Sequence, residues 1–239
     1  SGGEPAEDVL SIRDQGTGSG QVGFDGVNVS YEGIVIGVAA GGSAGNGLVI
    51  TFDADATPSA VSALLRNLTY QNTHVANPSG TSRQIQVTIT DSGTNSATSS
   101  PATITVDIHP LNDAPVLTNS TQSLGTTNED ASIILAVDSF LESTDVDPNP
   151  QTGIAIIGKE GNGTWQWSDD GLVFSELETV TASHGFLLPG TGSVRYVPDS
   201  LDAELATLTY RAWDQTSGSA FTYVSTQANG GSTAFSNTI

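Results

Sequence analysis

The sequence predicts an all-β protein built as two tandem β-sandwich domains, with one short helix in the first. Three observations carry that expectation. Gly accounts for 27 of 239 residues, and with abundant Ser, Thr, Val and Ile this is a composition of turns and strands. Apolar and polar residues alternate in short runs separated by Gly, Asn and Asp, the pattern of many short half-buried strands. Near the middle, Pro110-Leu111-Asn112-Asp113-Ala114-Pro115 places two prolines around an Asn-Asp pair. Proline stiffens the path and cannot join a ladder in mid-strand, so the domains are read as 1–110 and 111–239. The length suits two domains of roughly 100–150 residues each.

The elements follow in order. Leu10 to Ile12 opens a strand that meets the turn cluster Asp14-Gln15-Gly16-Thr17-Gly18. Val22 and Phe24 stand two apart before Asp25-Gly26, a hairpin signal. Val27, Val29 and Tyr31 alternate, Gly33 punctuates, and Ile34, Val35, Ile36 and Val38 continue. The Gly-rich stretch from Ala40 to Gly47 is a loop, and Leu48, Ile50 and Phe52 alternate again. Thr57-Pro58 reads as an N-cap with proline at the first helical position, and Ala60, Val61, Leu64, Leu65 and Leu68 keep helical spacing. Strands follow at Leu68–Gln71, Gln84–Thr90 and Ala102–Ile108, with Asp91-Ser92-Gly93 as a turn between the last two. In the second half the strands are Ile133–Ala136, Ile154–Ile157, Thr164–Ser168, Leu172–Phe174, Ser193–Val197, Thr207–Ala212 and Phe221–Val224. Asp169-Asp170-Gly171 turns a hairpin, and Asp145-Val146-Asp147-Pro148 is an acidic turn.

Charge narrows the function. Lys plus Arg is 6 and Asp plus Glu is 26, giving a net charge of −20. Nucleic acid requires basic side chains against phosphates, and an anionic membrane surface requires a polybasic patch, so neither is an expected partner. No apolar run approaches the roughly 20 residues of a membrane span. The chain has no Cys, which removes disulfides and thiol chemistry. The opening Ser1-Gly2-Gly3-Glu4-Pro5 lacks the pattern of a signal peptide, and the sequence reads as a piece of something larger.

The acids cluster. Asn112 and Asp113 lie on the linker; Asn128, Glu129 and Asp130 follow soon after; Asp145 and Asp147 are two apart on a turn; Asp214 ends an alternating strand. Strand ends and loops gather at the poles of a sandwich. Gathered carboxylates repel unless neutralised, and Ca²⁺ accepts six to eight oxygen ligands in flexible geometry. Asp and Asn are also common turn formers, so the combination carries the expectation rather than any single pair.

Other constellations point elsewhere. Trp165 and Trp167 share a face of a strand: exposed they would form a stacking platform for a sugar or peptide, and buried they are core, the commoner fate of tryptophan. Trp213 and Asp214 should point to opposite sides. His74, His109 and His184 show no zinc spacing. No Gly-x-Ser-x-Gly elbow occurs, Asp169-Asp170 and Glu176/Glu178 have only proximity in sequence to suggest paired catalytic carboxylates, and the run Gly41–Gly47 lacks the Lys and helix of a phosphate cradle. No enzymatic site assembles, and the expectation is that the protein is not an enzyme.

Several motifs resemble the cadherin-like tandem repeats of giant bacterial surface adhesins. They are Gln86-Val87-Thr88-Ile89-Thr90-Asp91, Pro101-Ala102-Thr103-Ile104-Thr105-Val106, Leu111-Asn112-Asp113-Ala114-Pro115-Val116, Asn128-Glu129-Asp130, Asp145-Val146-Asp147, Gly163 through Gly171, and Leu208-Thr209-Tyr210-Arg211-Ala212-Trp213-Asp214. The resemblance implies Greek-key sandwiches joined end to end, secreted to the bacterial cell surface, with calcium stiffening a rod-like spacer used in adhesion or biofilm formation. It implies Asn112 and Asp113 as linker ligands, Asp145, Asp147 and Asp214 as their partners, and Glu129 with Asp130 facing the next junction; Glu7 and Asp8 are weaker candidates from the first domain. It implies neighbouring repeats of the same polypeptide as partners. Read on that pattern, the first domain lacks its opening strands and the second stops short of its last, so an edge would be open to pairing with other copies. The two alternatives are a ligand-binding adhesin head and a strand-exchanging filament subunit.

Overall fold

The computed structural model describes residues 4–91 and 95–239, so Ser92 and Gly93 of the expected Asp91-Ser92-Gly93 turn lie outside the described residues. Among the described residues the protein is mostly β-structure in several antiparallel sheets, with one α-helix. It divides into two units, Ser1–Pro110 and Leu111–Ile239.

In the first unit the strands are β1 (Asp8–Ile12), β2 (Val22–Phe24), β3 (Asn28–Tyr31), β4 (Ile34–Ala40) and β5 (Val49–Phe52), then helix α1 (Pro58–Leu65), then β6 (Leu68–Asn72), β7 (Arg83–Val87) and β8 (Ala102–Val106). Strands β2 to β5 form a meander in sequence order, while β1 pairs with β6 and β7 with β8. The turns follow from local chemistry. Between β3 and β4 the two linking residues, Glu32 and Gly33, both have positive φ, 54° and 81°, the primed turn whose twist matches its strands. Between β2 and β3, Asp25 Oδ1 accepts from the N–H groups of Val27 and Asn28 at 2.9 and 2.6 Å.

Helix α1 begins where its cap dictates. Thr57 Oγ1 accepts from Ala60 N at 3.2 Å and Pro58 takes the first helical position. The helix buries Ala60 and Leu64 against Ile12, Val22, Val29 and Ile36. Thr57→Ala should remove the cap and cost about 1 kcal/mol, read as faster amide exchange at Ala60 and the first helical turn, with Thr57→Ser close to wild type.

The second unit contains β9 (Val116–Leu117), β10 (Ile133–Ala136), a 3₁₀ turn (Val137–Ser139), β11 (Ser143–Thr144), β12 (Gly153–Glu160), β13 (Thr164–Ser168), β14 (Ser175–Glu176), β15 (Gly185–Pro189), β16 (Ser193–Val197), β17 (Thr207–Ala212) and β18 (Tyr223–Val224). One four-stranded sheet has the order β10-β16-β13-β14 and another β17-β12-β15-β18; β11 pairs with β9. Side chains of both four-stranded sheets meet in one apolar cluster that includes Ile154, Ile156, Trp165, Phe186, Leu188 and Val194. The opposite face of β12 and β15 is also covered: Ala155 and Leu187 pack with Trp213, Ala234 and Phe235.

Two expectations shift. The apolar letters Leu172–Phe174 are not a strand; Asp170 Oδ1 accepts from the N–H groups of Leu172 and Val173 at 2.8 and 3.0 Å and holds a turn that leaves these side chains 82% and 73% exposed. The pairing partner of β13 is Ser175–Glu176 instead. The expected strand over Gln84–Thr90 is an unbroken ladder only to Val87, beyond which Thr90 bridges Thr98.

Candidate metal centre in the second unit

The site begins with the burial of Trp213. Its ring enters the cluster with Phe235, its N–H donates to the Gly153 carbonyl at 2.8 Å, and its indole N–H donates to the Ser217 carbonyl at 2.7 Å. The next side chain, Asp214, is only 3% exposed. Its Oδ1 accepts from Thr216 N and Thr216 Oγ1 at 2.8 and 2.6 Å. Its Oδ2 accepts from Asn112 Nδ2 at 2.9 Å, and the same amide donates to the Thr233 carbonyl at 3.1 Å. Asn112 is thus tied to the strand end at Asp214 and to the segment that follows β18.

The acidic turn joins from another side. Asp147 Oδ2 accepts from Asp113 N at 2.9 Å, and Asp147 N donates to Asp145 Oδ1 at 3.0 Å. Asp145 Oδ2 is buried and has no hydrogen-bond partner among the described residues. Burial raises the Asp145 carboxyl above its ordinary value, the Asp147 N–H bond pulls it back in part, and the charges of Asp147, Asp214 and Asp113 raise it further. Three neighbouring carboxylates thus act on Asp145.

Asn112, Asp113, Asp145, Asp147 and Asp214 are therefore brought together. Thr216 and Thr233, which hold Asp214 and Asn112, had no signal in the sequence, because a hydroxyl and a main-chain carbonyl do not announce their targets. Glu129 and Asp130 lie on an exposed turn between β9 and β10 and are not among the charges that perturb Asp145. Among the described residues no three His, Asp or Glu side chains form a ready-made metal cage.

The remaining candidates have other occupations. Trp165 is 5% exposed, meets Tyr196 in a tilted contact at 4.9 Å between centroids and donates its indole N–H to the Glu160 carbonyl at 3.0 Å. Trp167 lies between Phe186 and Phe221, at 4.9 and 5.3 Å. Trp165 is thus core, and Trp167 is half-buried against two aromatic rings. Glu7 and Asp8 in the first unit converge on Arg83, at 3.2 and 2.9 Å, and are satisfied by a cation the chain itself supplies.

One observation of this structure fits a metal here: a buried carboxylate oxygen without a donor, on a residue whose carboxyl is raised by burial and by three neighbouring acids. Hard oxygen donors of this kind suit Ca²⁺. No family model, curated protein or solved structure matches this chain.

Proposed function

We propose that the second unit binds Ca²⁺ through Asp113, Asp145, Asp147 and Asp214 with Asn112, and that the chain is a pair of cadherin-like Greek-key sandwich repeats of a large bacterial surface adhesin, serving as a calcium-stiffened spacer. The observation that carries the reading is the orphaned Asp145 Oδ2, buried among the charges of Asp113, Asp147 and Asp214. The sandwich part is supported by the two four-stranded sheets of the second unit, whose non-sequential strand orders share one apolar cluster.

Bound calcium would supply the positive charge that the four acids lack. The chain's own residues do the rest. Asn112 and Asp113 lie just beyond Pro110, where the polypeptide enters the second unit. Their hydrogen bonds to Asp214, Thr233 and Asp147 anchor that entry to a strand end and to the acidic turn. A cation shared among these groups would fix the direction of entry, which is the property a spacer built of repeats needs. No step in this work transforms a substrate.

Calorimetric titration of the chelator-treated full chain with CaCl₂ tests the proposal. Saturable binding is expected, weakened at least tenfold by Asp145→Asn and by Asp214→Asn, and unchanged by Glu129→Gln. Equal binding by wild type and Asp145→Asn would overturn the assignment of the site.

A further inference from the structure

The edge of the first unit's meander carries a second kind of interaction surface. Strand β5 (Val49–Phe52) pairs with β4 on one side and, among the described residues, with no strand on the other. The bond from Asp53 N to the Ile36 carbonyl, 3.0 Å, continues the register Gly37↔Phe52, Val38↔Thr51, Ala39↔Ile50 and Ala40↔Val49. Hydrogen-bonded and non-bonded pairs alternate along an antiparallel ladder. Thr51 and Val49, two and four residues from Asp53, therefore turn their backbone groups to β4. Ile50 and Phe52 direct theirs to the open edge. The strand is uncharged, and Val49 and Phe52 are 61% and 37% exposed, with none of the lysines, prolines or inward charges that usually blunt an edge.

The charge distribution selects the partner. From Gly33 to Phe52 the sequence contains no Asp, Glu, Lys or Arg, in a chain of net charge −20. Two such acidic molecules approach with least repulsion where neither presents a carboxylate. We propose that β5 is a self-pairing edge: two copies of this chain join β5 to β5, antiparallel about a two-fold axis at Thr51. Ile50 of each copy exchanges main-chain bonds with Phe52 of the other, and the two Thr51 side chains lie opposite one another. In this register Asp53 stands across from Val49 of the second copy and not from a second Asp53. The meander becomes one continuous sheet through both molecules, the self-complementary arrangement of a two-fold interface. A four-residue strand buries less than the roughly 1,000 Å² of a stable complex, so the pair is weak and concentration-dependent.

Sedimentation of the full chain in chelator, which removes any metal bridge between carboxylates and so separates this proposal from the calcium site, is the test. The mean mass should rise with protein concentration, and more steeply at about 1 M than at about 0.1 M NaCl, because the screening length shrinks from about 10 Å to about 3 Å. Amide exchange should slow at Ile50 and Phe52 in the associated form. Thr51→Asp and Thr51→Lys, both at an exposed position, should each abolish association by placing like charges opposite one another. An equimolar mixture of the two should restore it. A chain that stays monomeric at high salt and concentration overturns the proposal. So does association without protection at Ile50 and Phe52, or failure of the mixture to associate while the variants keep the native circular dichroism and amide spectrum.

Discussion

Calcium is expected to raise the melting temperature of the second unit by roughly 10 °C, and Asp145→Asn to abolish that rise while making the calcium-free protein more stable than wild type. All three tryptophans, Trp165, Trp167 and Trp213, belong to residues 111–239, so tryptophan emission in the intact chain reads this unit alone. A ligand at about a hundred times its dissociation constant stabilises the folded form by about 2.7 kcal/mol, and each kcal/mol moves the midpoint of a domain this size by about 4 °C. The opposite sign without metal comes from the Asp145 environment. Its carboxyl is raised by burial and by Asp147, Asp214 and Asp113, so its charge weakens the metal-free fold at neutral pH. Between the ordinary carboxylate value near 4 and the raised value, the folded form binds more protons than the unfolded one. Stability from this group therefore increases as pH falls through the raised value and levels off below the ordinary one. Asp170 and Glu204 in the same unit are held low by hydrogen bonds, chiefly from Val173 and Asn162, and slope the other way. The difference between wild type and Asp145→Asn isolates the one group. A variant no more stable than wild type in chelator, at any pH from about 4 to 7, would show that Asp145 is not strained by its neighbours.

How much of this was legible in the sequence depends on what each residue faces. Strands such as β6 and β7 showed themselves because one face is more buried and the other is wetter, which writes a period of two into the letters. Strand β15 did not: Gly185, Phe186, Leu187 and Leu188 are all buried, with Trp165 and Val194 of the other sheet in the cluster on one face and Trp213 and Phe235 in the cluster on the other. A strand between two covered faces has no alternation to read. Leu172–Phe174 misled for the converse reason, since its apolar letters belong to a turn organised by Asp170. The convergence of Asn112, Asp113, Asp145, Asp147 and Asp214 was readable because each sits at a strand end or connection, and such ends gather. Pairing over a long separation was not. Nothing local marks Arg83 as the partner of residues 75 and 76 positions earlier, although a chain with only 6 basic residues has few cations to place.

Arg83 is the residue whose loss should most damage the first unit. It is 2% exposed, donates from Nε to both Asp8 oxygens at 3.0 and 2.9 Å, and reaches Glu7 Oε2 at 3.2 Å and the Thr81 carbonyl. Tyr70 donates its hydroxyl to Asp8 Oδ1 at 2.6 Å, which ties the group to the β1–β6 pair. Burial works against the charge on Asp8, but bonds from Tyr70, the Glu4 N–H and Arg83 hold its carboxyl below the ordinary value. Glu7 is held low first by Asn72 and then by the Ser79 N–H. Removing one member of a buried pair leaves the other charge uncompensated, at a cost of roughly 3 kcal/mol. Arg83→Ala should therefore speed amide exchange in β1 and β6 by about a hundredfold, since each factor of ten corresponds to about 1.4 kcal/mol. Replacing the closer pair by apolar groups, Arg83→Met with Asp8→Leu, should recover part of that loss, because Asp8 is then no longer stranded and Glu7 keeps its bonds from Asn72 and the Ser79 N–H. The pH dependence runs opposite to that of Asp145. Carboxyls lowered in the folded state stabilise fully above their ordinary values near 4 and lose that contribution as pH falls through the lowered ones, so acid should loosen β1 and β6 in the wild type. In the double variant the Asp8 share of that slope is gone. Exchange in β1 that ignored Arg83→Ala would mean that packing around Leu10 and Tyr70, and not the ion pair, holds these strands together.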